Sequence, residues 1–288
     1  MVQKTLLDFV RSACNYDPTE DLIPFVADGA LLGWVKPSFA EKLKDWPEVF
    51  YVRPRGVTLS NDFPDAGRRS AVLAEVCETL ATEGILLGWR NEPVTVAETF
   101  YAEPVFFIER AASRLFGLMS YASHLNGVTV RAGVPHMWVA RRSLSKAIDP
   151  DMFDNLVGGR IACGMTPLET LRKECLEEAG IGPELAQTAR AAGVVRICRE
   201  VDEGVHREQI FVHDLHLPAD FEPNNQDGEV SDFVCLPISD IIERLDALDG
   251  SGEFTADAIV VMLDYLVRHG FLTSERSDYI EILKAIRP

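Results

Sequence analysis

The chain has 288 residues, 47% of them hydrophobic and 25% charged, enough apolar material for a sizeable core and too much for a disordered protein. Its 45 acidic residues against 28 basic ones leave a net charge of −17, which argues against nucleic acid and against an anionic membrane as partner, since both need a basic face. Six cysteines scattered without a CxxC pair read as reduced thiols of a cytoplasmic protein rather than as a disulfide framework.

The first residues carry no long apolar run, so they do not read as a signal peptide; Leu6, Leu7, Phe9 and Val10 suit a short amphipathic helix. Phe39–Leu43 reads as helix, and Val49–Val52 and Val57–Leu59 as short strands around Pro54 and Gly56. A helix is expected over Arg69–Gly84, with Val72, Leu73, Val76 and Leu80 on its apolar side, and another over Val105–Leu115. From Phe116 the texture changes. Leu125–Arg131 and Met137–Arg142 read as strands joined by a turn at residues 132–135, and Gly158-Gly159 leads through a loop to a helix from Thr166 to Ala179. Strands follow at Gly193–Glu200, Glu208–Leu217 and Val230–Leu236, the last after a polar loop at 223–228. The chain closes with helices over Ile238–Leu245 and Thr255–His269, with Thr255 as N-cap and Gly270 just past the end. The longest late apolar stretch, Ala258–Leu263, is too short to span a bilayer. This alternation describes an α+β protein in two units, residues 1–115 and 116–288.

The segment from Gly158 to Ile181 carries the chemistry. Thr166 can cap a helix and Pro167 suits its first turn; Leu168, Leu171, Cys175 and Ala179 recur at helical spacing as a buried stripe. Glu174, Glu177 and Glu178 share the adjoining face, because residues three and four apart are neighbours on a helix. On an ordinary surface helix such residues make a solvated acidic face. Crowded this closely beside a Gly-Gly approach, they call for a cation between them, and Mg²⁺ commonly joins a few carboxylates to phosphate oxygens.

The segment resembles a Nudix box: Gly, five residues, Glu, seven residues, then Arg-Glu-aliphatic-x-Glu-Glu-x-Gly-aliphatic. Gly159, Glu174, Glu177, Glu178, Gly180 and Ile181 fall in register; Met165 stands for the first Glu, Lys173 for Arg, and Cys175 at an aliphatic position. Lys173-Glu174-Cys175, with His124-Leu125-Asn126-Gly127, Trp138 and Arg268-His269-Gly270, is similar to the thiamine-pyrophosphokinase-related branch of that family. The first 115 residues, with Trp34 to Pro37 and Trp89-Arg90, resemble that branch's extra N-terminal domain. The resemblance implies a Nudix α/β/α sandwich with a mixed sheet from about residue 116, preceded by a smaller α+β domain that shapes the substrate pocket or makes a dimer. It implies Mg²⁺ (or Mn²⁺) on Glu174, Glu177 and Glu178. It implies structural roles for Gly158, Gly159, Lys173 and Gly180. The substrate class it implies is thiamine diphosphate or its oxidised forms. Lys cannot repeat a bidentate Arg contact, so the bracing of the loop is where this chain departs most.

Glu229, after a glycine and before a strand, is placed to give one more carboxylate, as metal ligand or as base for the attacking water; Glu208 competes for that role. Arg141, Arg142 and Lys146 are candidates for holding phosphate, with strand alternation sending one of the two arginines away, and Asn155 beside the glycines is a candidate for substrate or for the loop backbone. The histidines show no zinc-ligand spacing, and no GxSxG turn supports a nucleophilic serine. Besides hydrolysis, a non-catalytic sensor with the same fold and hydrolysis of a nucleoside diphosphate derivative such as ADP-ribose or NADH stay open, as does a homodimer.

Overall fold

The computed structural model describes residues 5–146, 148–247 and 253–287. In chain order the elements are α1 (Leu6–Cys14), α2 (Pro18–Asp21), β1 (Ile23–Ala27), β2 (Ala30–Val35), α3 (Pro37–Leu43), β3 (Phe50–Arg53), β4 (Gly56–Leu59), α4 (Ala66–Thr82), β5 (Pro93–Val96), β6 (Phe106–Glu109) and α5 (Ala112–Leu115). The second half continues with β7 (Met119–Arg131), β8 (Val134–Arg142), β9 (Phe153–Asn155), β10 (Val157–Arg160), α6 (Pro167–Ala179), α7 (Pro183–Ala186), β11 (Arg190–Val201), β12 (Gly204–His216), β13 (Val230–Pro237), α8 (Ile238–Asp246), α9 (Ala256–Arg268) and α10 (Tyr279–Ile286).

Two sheets organise the molecule. The first, in the order β2-β1-β4-β3, packs with α3 and α4 around an aromatic core in which Phe116 meets Phe25 at 5.2 Å and Phe39 at 5.0 Å. Beside it stands the separate hairpin β5-β6. The second sheet runs β11-β12-β7-β8-β13, mixed because β12 and β7 are parallel. The long β7 shares one edge between two partners: β10 covers Ala122–Leu125 and β8 covers Gly127–Arg131. The sheet therefore splits like a Y, and β9-β10 leave through the split.

One face of the second sheet is covered by α6, through a core of Leu125, Leu156, Val157, Leu171, Cys175 and Ile181; the other is covered by α1, α8, α9 and α10. This is an α/β/α sandwich with an α+β unit before it. α9 is apolar nearly all round and is buried accordingly, which is the behaviour of an all-hydrophobic helix in a core.

Three sequence expectations are corrected. Residues 105–115 are not one helix: Phe106–Glu109 is a strand, because Val96–Phe106 and Thr95–Phe107 pair across the β5-β6 hairpin, and only Ala112–Leu115 turns helical. Leu168 is exposed rather than in the buried stripe, since the first turn of α6 extends past the sheet, and Thr170 is buried instead. The apolar residues of α1 (Leu6, Val10, Ala13, Cys14) join the core beneath α9 and α10 and not the one around Phe116. A boundary at residue 115 thus does not describe how the first helix packs.

Candidate active site

The metal-site candidates start from how α6 is held at both ends. Thr166 accepts from the Glu169 amide, and Glu169 accepts in return from the Thr166 amide, a capping box that satisfies two orphan donors of the first turn. At the other end Gly180 is left-handed (φ 65°), and the polar loop closes over the last turn: the amides of Asn224 and Gln226 donate to the carbonyls of Ala179 and Glu177 at 3.0 and 2.8 Å. The loop that carries Glu229 is thereby bonded directly to the helix that carries Glu177.

Gly158 and Gly159 pair with His124 and Ser123 of β7 and bring the loop against the helix. Glu178 lies behind this loop, 7% exposed, and accepts from the Gly158 amide at 2.9 Å. Burial pushes its carboxyl well above the usual value, with the Gly158 amide working the other way. Glu174 crosses in front of Gly159 so closely that a Cβ there would stand 2.4 Å from Cγ of Glu174. Burial raises the Glu174 carboxyl as well. We expect Gly159→Ala to keep the fold but displace Glu174, lowering metal-dependent turnover by on the order of 10²-fold with little loss of thermal stability; unchanged activity would show that this contact does not position the carboxylate.

Lys173 does not brace the loop. Its ammonium donates to Glu174 Oε1 at 3.1 Å and Glu177 Oε2 at 2.7 Å. The loop is instead fixed by the Glu178–Gly158 bond, by Ile161 donating to the Tyr121 carbonyl and by Met165 donating to the Ala162 carbonyl.

Glu174, Glu177 and Glu229 line a cavity of about 470 Å³ with Arg142, Lys146, Gly158, Gly159 and Lys173. Glu229 pairs with Lys146; burial acts to raise its carboxyl, and Lys146 outweighs that and holds it below the usual value. Arg142 enters the cavity while bonded to Asp154 at 2.8 Å and to the carbonyls of Ile148 and Asp149. Arg141 points the other way, over the Phe153 ring at 4.1 Å and onto Asp151, so it is not placed for substrate. Asn155 is buried, its Oδ1 bonded to the His124 ring at 2.8 Å, and borders only the recess behind the loop where Glu178 lies; it supports the site rather than facing the cavity.

Several cavity residues were not singled out in sequence. Arg90, Arg110 and Arg114 reach the same cavity from the first unit, and Arg160 follows the two glycines on β10. Deeper in, ligand atoms of His206, Glu208 and Asp257 lie within 4.8 Å of one another. Burial pulls His206 down to about 3, whereas Glu208, which burial would raise, is held below the usual carboxylate value by His206 and then by Arg160 at 3.6 Å. The histidine of this cluster stands 51 positions before Asp257, so only the fold reveals the group.

Residues 126–258 match the NUDIX domain model and residues 5–120 match a domain of unknown function, DUF4743. Nudix hydrolase 24 of Arabidopsis thaliana, named as chloroplastic, is 36% identical over 93% of this chain and 73% of its own length. The chain belongs to the Nudix hydrolase family. Nudix hydrolase 20 of the same plant, also chloroplastic by name, is 35% identical over the same shares. Among solved structures, the NUDIX domain of NrtR from Shewanella oneidensis, complexed with ADP ribose, is 13% identical, with a TM-score of 0.42 over 55% of this chain and 91% of that one. This Nudix protein is accordingly a hydrolase of phosphoric anhydride bonds, in a family that generally uses Mg²⁺ or Mn²⁺. Among the described residues no helix is long and apolar enough to cross a membrane.

Proposed function

We propose that this Nudix hydrolase cleaves the diphosphate of a small organic diphosphate, thiamine diphosphate or its oxidised forms, with Mg²⁺ or Mn²⁺ held by Glu174, Glu177 and Glu178 and with Glu229 assisting. The observation that carries the reading is the convergence of Glu174 and Glu177 on one ammonium, that of Lys173, with Glu174 packed against Gly159 of β10. A cation already stands where these carboxylates meet, and an all-oxygen donor set suits a hard divalent ion. Such an ion supplies charge neutralisation on the diphosphate and activation of a water.

The chain's own residues do the rest. Arg142 and Lys146, with Arg90, Arg110 and Arg114 from the first unit, offset phosphate charge in a protein that is strongly acidic overall. A phosphate drawing Lys146 towards itself frees the Glu229 carboxylate, which then takes the proton of the attacking water. The water oxygen bonds to phosphorus, the anhydride P–O bond breaks, and the leaving phosphate keeps the electron pair. Of the motif residues behind the thiamine reading, His124 lines the cavity and bonds to Asn155, while Asn126 is buried away from it and donates to Asp214 at 3.0 Å.

The test is phosphate release with Mg²⁺ from thiamine diphosphate, its oxidised analogues, ADP-ribose and NADH. Turnover of the thiamine compounds above the others supports the reading. Preference for ADP-ribose or NADH would discard thiamine and keep the site, and metal-independent or absent turnover would sink the site as drawn.

A further inference from the structure

A second cavity, of about 370 Å³, opens beside the first and shares Arg160, Ala162 and Met165 with it. Its far wall is the β5-β6 hairpin of the first unit, with Val94, Thr95, Ala97, Phe100 and Phe107; its near wall is Met119 and Tyr121 of β7 and the loop from Arg160 to Thr166. The hairpin tip is fastened to the second sheet by rings: Phe100 meets Tyr121 at 4.8 Å and Phe211 at 5.0 Å. Tyr101, 80% exposed, stands at the rim and touches Phe100 at 4.7 Å. The metal-site cavity is polar and charged, whereas this one is walled by aliphatic side chains and four rings, with Thr95 and Ser120 as hydroxyl partners. Its size falls in the range of small-molecule sites, and ring faces favour ring-shaped guests.

Resting on the diphosphate-hydrolase reading, we propose that this cavity receives the flat aromatic or heteroaromatic part of the substrate, and that the hairpin of residues 93–109 is the part of the first unit that selects it. Continuity through Arg160, Ala162 and Met165 lets one molecule lay its diphosphate over Glu174 and Glu177 and its ring between Phe107 and Tyr121. The first unit then contributes in two ways: its arginines meet phosphate, and its hairpin meets the organic group.

The experiment compares the full-length chain with Ala97→Trp, which fills the cavity, and Tyr101→Ala, which removes an exposed rim ring and does not threaten the fold. Each is assayed on thiamine diphosphate and on isopentenyl diphosphate, an aliphatic diphosphate. The ratio of kcat/KM for the aromatic over the aliphatic substrate is expected to fall by about tenfold or more in Ala97→Trp, carried by KM, and to fall in the same direction in Tyr101→Ala. Equal losses on both substrates, or no loss, overturn the proposal. A parallel titration by calorimetry uses thiamine diphosphate, ADP-ribose and isopentenyl diphosphate with Mg²⁺ in a Glu178→Gln background. Weaker binding of a ring-bearing compound alone in Ala97→Trp supports the cavity even if no compound is turned over. Intact hydrolysis with unaltered ring binding, or no binding of any ring-bearing compound, overturns the cavity while leaving the hydrolase to be judged on turnover.

Discussion

Glu178→Gln is expected to lower Mg²⁺-dependent diphosphate hydrolysis by roughly 10²- to 10³-fold and to leave the thermal midpoint unchanged or higher. The side chain is buried behind β10 and accepts from the Gly158 amide. A glutamine carbonyl can accept the same bond in the same volume, so the loop keeps its anchor. What disappears is the charge, which is costly to bury without a metal beside it and useful only with one. Activity and melting therefore move apart, and their divergence is the informative result. A loss of both would mean that Glu178 is structural; full activity would remove it from the metal site. Glu178→Ala, by contrast, drops the loop anchor and should lose both.

The second large effect lies away from the cavity. Asp214 is nearly buried on β12, and it accepts from Arg268 through both carboxylate oxygens at 2.6 and 3.0 Å and from Asn126 at 3.0 Å, with His269 at 3.3 Å. Arg268 also holds Asp264, which is fully buried on α9. Removing one partner of such a network strands the other charges, so Asp214→Ala should cost about 3–5 kcal/mol in urea unfolding. Burial alone would raise the Asp214 carboxyl; Arg268 and Asn126 outweigh it and hold the folded value below the ordinary one. With the folded value depressed, the carboxylate stabilises the protein above the unfolded value, and that stability is lost as pH falls through the folded one. The stability gap between the parent chain and Asp214→Ala should accordingly narrow only in acid. A gap that stays constant to low pH would show that the loss comes from packing and not from charge.

The readable part of this molecule was the part governed by near neighbours. The metal helix follows from a capping residue, a proline in the first turn, an apolar spacing and a closing glycine, all within fifteen residues of one another, and it forms as expected. Strand alternation between Arg141 and Arg142 likewise decides which one enters the cavity. The β1-β2 hairpin is equally local: Asp28-Gly29, both with positive φ, is a two-residue turn signal between apolar runs, and Ala27 pairs with Ala30 across it. The strand at Phe106–Glu109 was not legible locally, because it exists by pairing with residues 93–96 and resembles a helix start otherwise. Arg90, Arg110 and Arg114 reach the cavity only because one unit leans on the other, and no spacing along the chain announces that.

The first and last helices of the chain are partners. Leu6, Val10, Ala13 and Cys14 of α1 share a core with Ile282, Ala285 and Ile286 of α10, and Arg11 stands 3.6 Å from Glu281. A ribosome delivers α10 long after α1, with nearly all of the two sheets made between them. The sheet around Phe116 has all its strands, and most of its core, in hand once residue 118 has emerged, whereas α1 must keep its apolar face waiting until α10 is made. A helix made early is thus late to find its place, and the interval between is when its apolar face is most exposed to unwanted association.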